Sequence, residues 1–538
     1  MSEFLFEYHP VHPTTWVYLS SLLMLGVFFK FSRFWSVRNI DLVLLLLLAP
    51  GLLTVQFGEE RAREDQVEKE LTALSAEFVE VAEEPGIDDT ANDPSEEQPV
   101  EDEVASEPAP PNSNSREPEA GIEPDTDPTS ADIAYAELAA ADGQLDVESD
   151  SGATRLSGKA VMLIGYIWLW VVLGLLLARL LLDATMVRRP LLEPNLSTGG
   201  LAFLGCSLFV FLMANVINGP ATADDLAGAR SAGELLAGVS DGELTDDLDR
   251  HGPGNALLHS IPSLVTTPLN WEESESADVH YVRTAKVMAL MSHLAVVLGI
   301  IAIGYRHFGN IKMGIGAATL YLMLPYTSQM TGRVDHVLPA SLLVWAIVSY
   351  RRPLVAGSLL GLAGGVAYYP LFLLPLWVSF YWQRGLGRFV TGMLVTIGIC
   401  VCSLLFVSAD IADFGANVQR MFGLRWPRLD NLHGVWKLGW DPIYRLPVIA
   451  AFLALCSAFA LWPAQKNLGT LLSCSAAIMV ATQAWHGDGG GLYMAWFLPL
   501  TLLTIFRPNL EDRVALSVLE ESWLPRRRFH LTHIDCAA

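Results

Sequence analysis

Apolar residues recur along this chain in long blocks that contain almost no charge. Most blocks run about 17 to 25 residues, enough for a helix to cross a hydrocarbon core of about 30 Å. The pattern predicts an all-α, polytopic transmembrane bundle of about thirteen helices. We place these spans near 14–30, 40–57, 159–182, 198–217, 284–304, 310–327, 335–349, 353–368, 369–383, 387–408, 443–462, 466–484 and 490–506.

Charges in the short loops predict an orientation for these helices. Short loops with excess Lys and Arg remain in the cytoplasm. With thirteen spans, one side holds all the basic turns, at Arg33/Arg38, Arg188/Arg189, Arg306/Lys312, Arg351/Arg352, Arg384/Arg388 and Lys466. The tail 509–538 falls on that side, and the long loops 218–283 and 409–442 on the other. We therefore expect an N-out, C-in protein of a cell membrane, most simply a bacterial inner membrane.

The negative charge is confined to one segment. The formal net charge of the chain is −24. Residues 59–158 hold about 30 acidic and 5 basic residues, which account for essentially all of this excess, and they contain few large apolar residues. Such a segment buries too little apolar surface to offset the entropy of ordering. We expect a disordered acidic linker with a short amphipathic helix near 61–81, between two N-terminal transmembrane helices in 1–58 and a membrane core at 159–508.

Composition and motifs exclude several classes of protein. The chain is 52% hydrophobic and has 15 Trp, which is unusual for soluble domains. Five of its six cysteines lie inside apolar blocks, with no metal or disulfide spacing. Phosphate-binding glycine loops, dinucleotide fingerprints and hydrolase or zinc motifs are absent from the sequence. We expect membrane lipids as partners and neither nucleic acid nor a bound metal.

The residues that could act in catalysis or binding lie at the predicted outer ends of helices. The first two groups are a pair of acids and a sequence that contains Arg, Asp and His. Asp224 and Asp225 follow the fourth span, where a carboxylate can act as a general base or can simply cap a helix. Arg333, Asp335 and His336 begin the seventh span, where the guanidinium can bind a phosphate or form only a local ion pair.

Two further clusters occupy later loops. The segment 409–442 carries Arg425, Arg428 and Lys437 among tryptophans, which suits an anionic lipid head group or mere interfacial anchoring. His486 and Asp488 lie beside three glycines before the last span, where the backbone can approach a ligand or form a flexible turn.

The segment GRVDHVLPASLLVWAIVSYRRPLVAGSLLGLAGGVAYYPLFLLPLW at 332–377 and the sequence YMAWFLP at 493–499 resemble the GT-C class of membrane glycosyltransferases. The resemblance extends over roughly 284–508 and is strongest for polyprenyl-phosphate-mannose-dependent enzymes. It includes the Tyr368-Tyr369-Pro370 turn. Members often have a Lys just before that turn, whereas Val366 and Ala367 precede it here.

The resemblance implies an inverting hexosyltransferase. A carboxylate in the first large outer loop, Asp224 or Asp225, would activate an acceptor hydroxyl. Arg333, Arg425, Arg428 or His486 would stabilise the departing phosphate of a polyprenyl-phosphate sugar, which is the donor substrate, with no further cofactor. Two alternatives from the residues stay open: a transporter or flippase of a lipid-linked anion, and a membrane scaffold without enzymatic activity.

Overall fold

The fold was analysed in a computed structural model that describes residues 13–82, 156–183, 185–186, 192–237, 248, 250–266, 277–408, 410–424, 427, 429, 432–464 and 466–508. Within these residues the regular structure is helical, and no strand is found among them. Most of the predicted acidic linker, the tail after 508, Arg425 and Arg428 lie outside the described residues.

The α-helices are α1 Pro13–Phe28, α2 Val37–Leu46, α3 Leu48–Ala82, α4 Gly158–Asp183, α5 Thr198–Asn218, α6 Ala223–Ala237, α7 Pro253–Thr266, α8 Ala277–Arg306, α9 Ile311–Met323, α10 Pro325–Gln329, α11 Val334–Val348, α12 Pro353–Val366, α13 Leu374–Tyr381, α14 Leu386–Ser403, α15 Ile411–Met421, α16 Arg445–Leu461, α17 Leu468–Trp485 and α18 Leu498–Phe506. Short 3-10 helices occupy Phe31–Arg33, Tyr369–Leu373, Leu404–Phe406, Gly434–Lys437, Pro442–Tyr444 and Met494–Trp496.

Seven helical segments of the described chain are long and apolar enough to cross a membrane: Val37–Leu71, Gly158–Asp183, Thr198–Asn218, Val279–Arg306, Leu386–Phe406, Pro442–Leu461 and Leu468–Trp485. Six shorter apolar helices lie at the other predicted spans, at Pro13–Phe28, Ile311–Met323, Val334–Val348, Pro353–Val366, Tyr369–Tyr381 and Met494–Phe506. The chain is therefore a membrane protein, and the part of it that the structure describes is helical. The total of thirteen crossings and the N-out orientation stay predictions.

The chain divides into two compact units, one formed by residues up to Asp65 and from Ser157 onward, the other by Gln66–Leu156. In the second unit the described part is chiefly the last turns of α3, where Gln66 donates to Glu70 at 3.1 Å. Helix α3 continues through residue 58, so the predicted start of the acidic linker falls inside a helix.

Helices α3 and α4 pack at short range through glycines. A Cβ added at Gly58 would lie 2.6 Å from the backbone nitrogen of Met162, and one at Gly165 would lie 2.8 Å from that of Val55. A Cβ at Gly158 would collide with the backbone of Ala62. Small residues allow transmembrane helices to approach this closely. The glycines thereby set the position of α3 beside the rest of the first unit.

Opposite charges join distant helices near one end of the bundle. Arg179 of α4 donates to Asp41 of α2 from Nε at 2.6 Å and from Nη2 at 2.9 Å. Its Nη1 donates to Asp183 at 3.0 Å, and Arg507, just after α18, donates to the same Asp183. Burial of these four side chains makes the network a strict geometric constraint, since an unpaired charge there would be costly. It fixes the last helix to the N-terminal part of the first unit.

Candidate functional site

A cavity of about 710 Å³ opens among α5, α6, α8 and the start of α11. Helix α3 also reaches it, together with the segment before α7 and the turn after α17. The ionisable residues that line it are Glu59, Arg63, Asp224, Asp225, Arg250, His251, Lys286, Arg333, Asp335, His336, His433, Asp488 and Tyr493. Six of the predicted site residues, Asp224, Asp225, Arg333, Asp335, His336 and Asp488, therefore share one space.

Arg333 and Asp335 form the rigid centre of this cavity. The Arg333 guanidinium is forked onto the carboxylate, with Nε 3.0 Å from Oδ1 and Nη2 2.8 Å from Oδ2. The Asp335 side chain is 5% exposed and that of Arg333 is 25% exposed. Burial lowers the pKa of Arg333, but the attraction of Asp335 and then of Asp224 outweighs burial, so the pKa is raised. The guanidinium therefore stays charged and held in one orientation.

Two histidines complete the surroundings of Asp335. His251 approaches its Oδ2 with Nε2 at 3.5 Å, and His336 does so with Nε2 at 3.6 Å. The other ring nitrogen of His336 is 2.6 Å from the hydroxyl of Tyr326. Trp496 donates from Nε1 to the Asp335 carbonyl oxygen at 3.4 Å. Because Asp335 is enclosed on all these sides, it is suited to orienting Arg333 rather than to contacting a substrate.

Asp224 faces the open part of the cavity. Its Oδ2 accepts from Arg333 Nη1 at 2.8 Å, and its Oδ1 lies 3.5 Å from Arg250 Nη1. The side chain is 49% exposed. It is therefore a carboxylate accessible from the cavity and flanked by two guanidinium groups.

Asp225 has a different role from its neighbour. Its Oδ2 accepts from the backbone nitrogen of Thr222 at 2.9 Å and from the Thr222 hydroxyl at 2.8 Å. Thr222 immediately precedes α6, so this is the reciprocal contact of a helix start. The helix-capping alternative raised from the sequence therefore describes Asp225, whereas Asp224 points elsewhere.

Glycines bring His251 to the site. Gly252 donates its backbone N–H to the Val366 carbonyl at 2.8 Å. A Cβ at Gly252 would collide with the Gly365 carbonyl, and one at Gly254 would lie 2.7 Å from the Gly365 carbonyl carbon. The segment before α7 thus contacts the end of α12 backbone to backbone, which places His251 over Asp335.

The predicted cluster around His486 is divided by the cavity wall. Asp488 lines the cavity and its Oδ1 is 3.3 Å from His433 Nδ1. His486 lies behind the wall, where its Nδ1 accepts the backbone N–H of Asp488 at 3.2 Å. Burial first, opposed by the attraction of Asp488, lowers the pKa of His486 to about 4. His486 is therefore buried behind the wall and neutral at neutral pH.

An aromatic cluster surrounds His486 and includes both predicted tyrosines. The ring centroids of Tyr369 and His486 are 4.6 Å apart, and those of Tyr368 and Tyr369 are 4.0 Å apart. Tyr493 connects this cluster to the cavity, with centroids 4.2 Å from His336 and 4.5 Å from His486. Tyr368 and Tyr369 thus support the wall from behind. Lys437 is exposed in a 3-10 helix and does not line the cavity.

Several lining residues were not predicted from the sequence. Arg250 and His251 lie in an acidic loop, Lys286 donates to the carbonyls of Ile217 and Gly219 at the end of α5, and Glu59 and Arg63 come from α3. The Gly252-Pro253-Gly254 sequence was the signal for the first two, because adjacent glycines permit the backbone contact described above.

A second cavity of about 690 Å³ lies beside the first, among α1, α3, α5 and α10. Six residues line both: Glu59, Arg63, Asn215, Gln329, Met330 and Leu492. The remaining wall of the second cavity is largely apolar, and includes Trp16, Leu52, Val55 and Phe211. The two cavities therefore share a boundary, with charged residues on one side and a largely apolar wall on the other.

Within the described parts of the chain, no group of three or more His, Cys, Asp or Glu side chains is arranged to hold a metal ion. Comparisons with protein-family models, with curated proteins and with solved structures find no match to this chain. The arrangement of the cavity is thus the basis on which a function can be argued.

Proposed function

We propose that this protein is an inverting membrane glycosyltransferase that moves a sugar from a polyprenyl-phosphate donor to a hydroxyl of a lipid or envelope acceptor. The observation that supports this most is the half-exposed Asp224 carboxylate held between Arg333 and Arg250 in one cavity. A general base and two phosphate-binding cations are the groups that such a transfer needs.

In the proposed reaction, the acceptor hydroxyl gives its proton to Asp224 as its oxygen attacks the anomeric carbon of the sugar. The bond between that carbon and the phosphate oxygen breaks, and the polyprenyl phosphate leaves with the electron pair. Arg333 and Arg250 stabilise the charge that develops on the phosphate, for which forked guanidinium donors are well matched. The protein's own groups thereby supply the base and the electrostatic stabilisation.

Charge balance in the cavity favours an exchange of partners when the donor binds. In the free protein both guanidiniums contact Asp224, which occupies its oxygens. A phosphate that replaces Asp224 at Nη1 of Arg333 and at Arg250 would release Asp224 to accept a proton. The site would then form a competent base only in the presence of donor, in an enzyme that we place N-out in a bacterial inner membrane with this cavity on the outer side.

The test is transfer of a labelled sugar by purified protein in lipid nanodiscs, from a panel of polyprenyl-phosphate sugars. Transfer that inverts the anomeric configuration and is lost in Asp224→Asn would support the proposal. Transfer that persists in Asp224→Asn would refute the base. Absence of transfer with every donor, together with movement of the lipid between leaflets, would favour the transporter alternative.

A further inference from the structure

We infer that the apolar cavity among α1, α3, α5 and α10 binds the hydrocarbon chain of a polyprenyl phosphate, and that Arg63 of α3 binds its phosphate at the boundary with the polar cavity. This inference deepens the proposed function and rests on it for the chemical class of the ligand. It assigns a binding role to N-terminal helices that lie outside the segment resembling known glycosyltransferases.

The two cavities differ in their lining and are similar in volume. Each cavity lies within the range of about 300–1,000 Å³ that is typical of small-molecule sites. One is lined by thirteen ionisable residues and the other has a largely apolar wall with Trp16, Leu52 and Val55. A ligand that fills both must have a polar head joined to an apolar chain.

Helix α3 forms part of the wall of both cavities. Gln56 lines only the apolar cavity, whereas Glu59 and Arg63 line both. These residues lie three or four positions apart, on one face of the helix. A single helical face thus follows the ligand from its chain to its head, with Glu59 and Arg63 at the head, while Glu60 lines the apolar cavity.

Packing against α4 fixes that face. The contacts of Gly58 and Gly158 with the neighbouring backbone leave no room for even a methyl group. Asp65, two residues after Arg63, also accepts the backbone N–H of Gly158 at 2.9 Å. Arg63 is therefore held near the cavity by its helix, although its long side chain is exposed.

Arg63 adds a cation on the side of the cavity that α3 forms. Glu59, one turn before it, has the opposite charge on the same helical face. The negative charge of Glu59 therefore offsets the positive charge of Arg63 when no anion is bound. A phosphate at the boundary would meet Arg63 from α3 and Arg250 or Arg333 from the opposite wall. Contacts from separate helices fix the head group while the chain stays in apolar surroundings.

The experiment measures binding of a fluorescent polyprenyl phosphate without sugar to the full-length protein in nanodiscs, so that no turnover is needed. Gln56→Trp fills the apolar cavity, and Phe57→Trp is its control, because Phe57 is 55% exposed and lines neither cavity. Arg63→Gln removes the cation, and Arg61→Gln is its control, since Arg61 lines neither space.

We expect Gln56→Trp and Arg63→Gln each to weaken binding about tenfold, the loss that corresponds to about 1.4 kcal/mol, with both controls unchanged. Inorganic phosphate should compete weakly and unlabelled polyprenyl phosphate strongly, because only the latter occupies both cavities. Wild-type affinity in Gln56→Trp, or equal competition by inorganic phosphate, would overturn the inference. Binding with the expected pattern but without any sugar transfer would instead reject the glycosyltransferase and retain the lipid site.

Discussion

Arg333 donates from Nη1 to Asp224 Oδ2 at 2.8 Å while its other nitrogens are forked onto Asp335 behind it. The two acids are 111 residues apart in sequence, yet one guanidinium contacts both. The inner acid is buried and the outer one is half exposed. A cation anchored in the protein is thus presented to a carboxylate that a substrate can reach.

Separate replacement of the two neighbouring acids distinguishes their roles. We expect Asp224→Asn to lower sugar transfer by roughly 10²- to 10⁴-fold, the usual contribution of a general base. Asp225→Asn keeps an oxygen that can accept from Thr222, so transfer should change by no more than a few fold. The rates are compared in nanodiscs at saturating donor. Equal losses in both variants would contradict the assignment of Asp224.

Arg333 and Asp335 should be strongly coupled in stability. Removing one member of a buried ion pair costs roughly 3–5 kcal/mol, because the other charge is left unpaired. We expect Arg333→Gln and Asp335→Asn each to destabilise the fold strongly, and the double variant to cost less than the sum. Unfolding by SDS titration in mixed micelles gives the free energies for a double-mutant cycle. Strict additivity would show that the pair is not coupled.

The close contact that places His251 can be tested at Gly254. Gly254→Ala adds a methyl group against the Gly365 backbone, so we expect lower stability and slower transfer as the segment moves from Asp335. Gly174→Ala is the matched control, because nothing lies within 4 Å of a Cβ there. In helix α4 that change should be neutral or stabilising by about 0.4–1 kcal/mol. Unfolding midpoints and transfer rates of the two variants are compared with wild type.

Burial of His486 predicts a pH dependence of stability. Its pKa is about 4 in the folded protein, below the ordinary value of 6.5. Between these values the unfolded chain binds more protons, so the free energy of unfolding rises with pH and is constant above about 6.5 for this group. Stability should therefore fall as the pH drops from 6.5 towards 4.

Comparison with His486→Gln isolates the contribution that depends on this imidazole, because ionisable groups elsewhere in the protein are present in both proteins. SDS titrations from pH 4.5 to 7.5 should show a steeper pH slope in the wild type. A difference between the two proteins that does not vary with pH would mean that His486 titrates alike in the folded and unfolded chains.

Helix positions could be predicted because length and apolar content are local properties. The span predicted at 198–217 corresponds to a helix from Thr198 to Asn218, which begins where Ser197 accepts the backbone N–H of Gly200. A short amphipathic helix was expected near 61–81, but the sequence does not show that it continues the second span without a break, as α3 does from Leu48 to Ala82. The first turns of α3 beyond residue 58 are held by contacts with α4, which lies about a hundred residues later in the sequence.

The site could be predicted only in part, for a related reason. Asp224, Arg333 and Asp488 stood out as charges at the ends of apolar blocks, and the structure brings them to one cavity. Asp224 contacts Arg333, whereas Asp225 caps the start of α6. This difference depends on the direction of each side chain, which the sequence does not specify. Arg63 could not be distinguished in the sequence from the many charged residues around it, because only the fold shows that it lines the cavities.

The ion pair between Arg507 and Asp183 has a consequence for how the protein is made. Arg507 leaves the ribosome 324 residues after its partner, when nearly all the described helices have already been synthesised. Until then Asp183 lacks this second guanidinium, although Arg179 of its own helix is already present. Among the described helices, docking of α18 is thus a late event in biogenesis, and a nascent chain stalled before Arg507 would lack this buried ion pair.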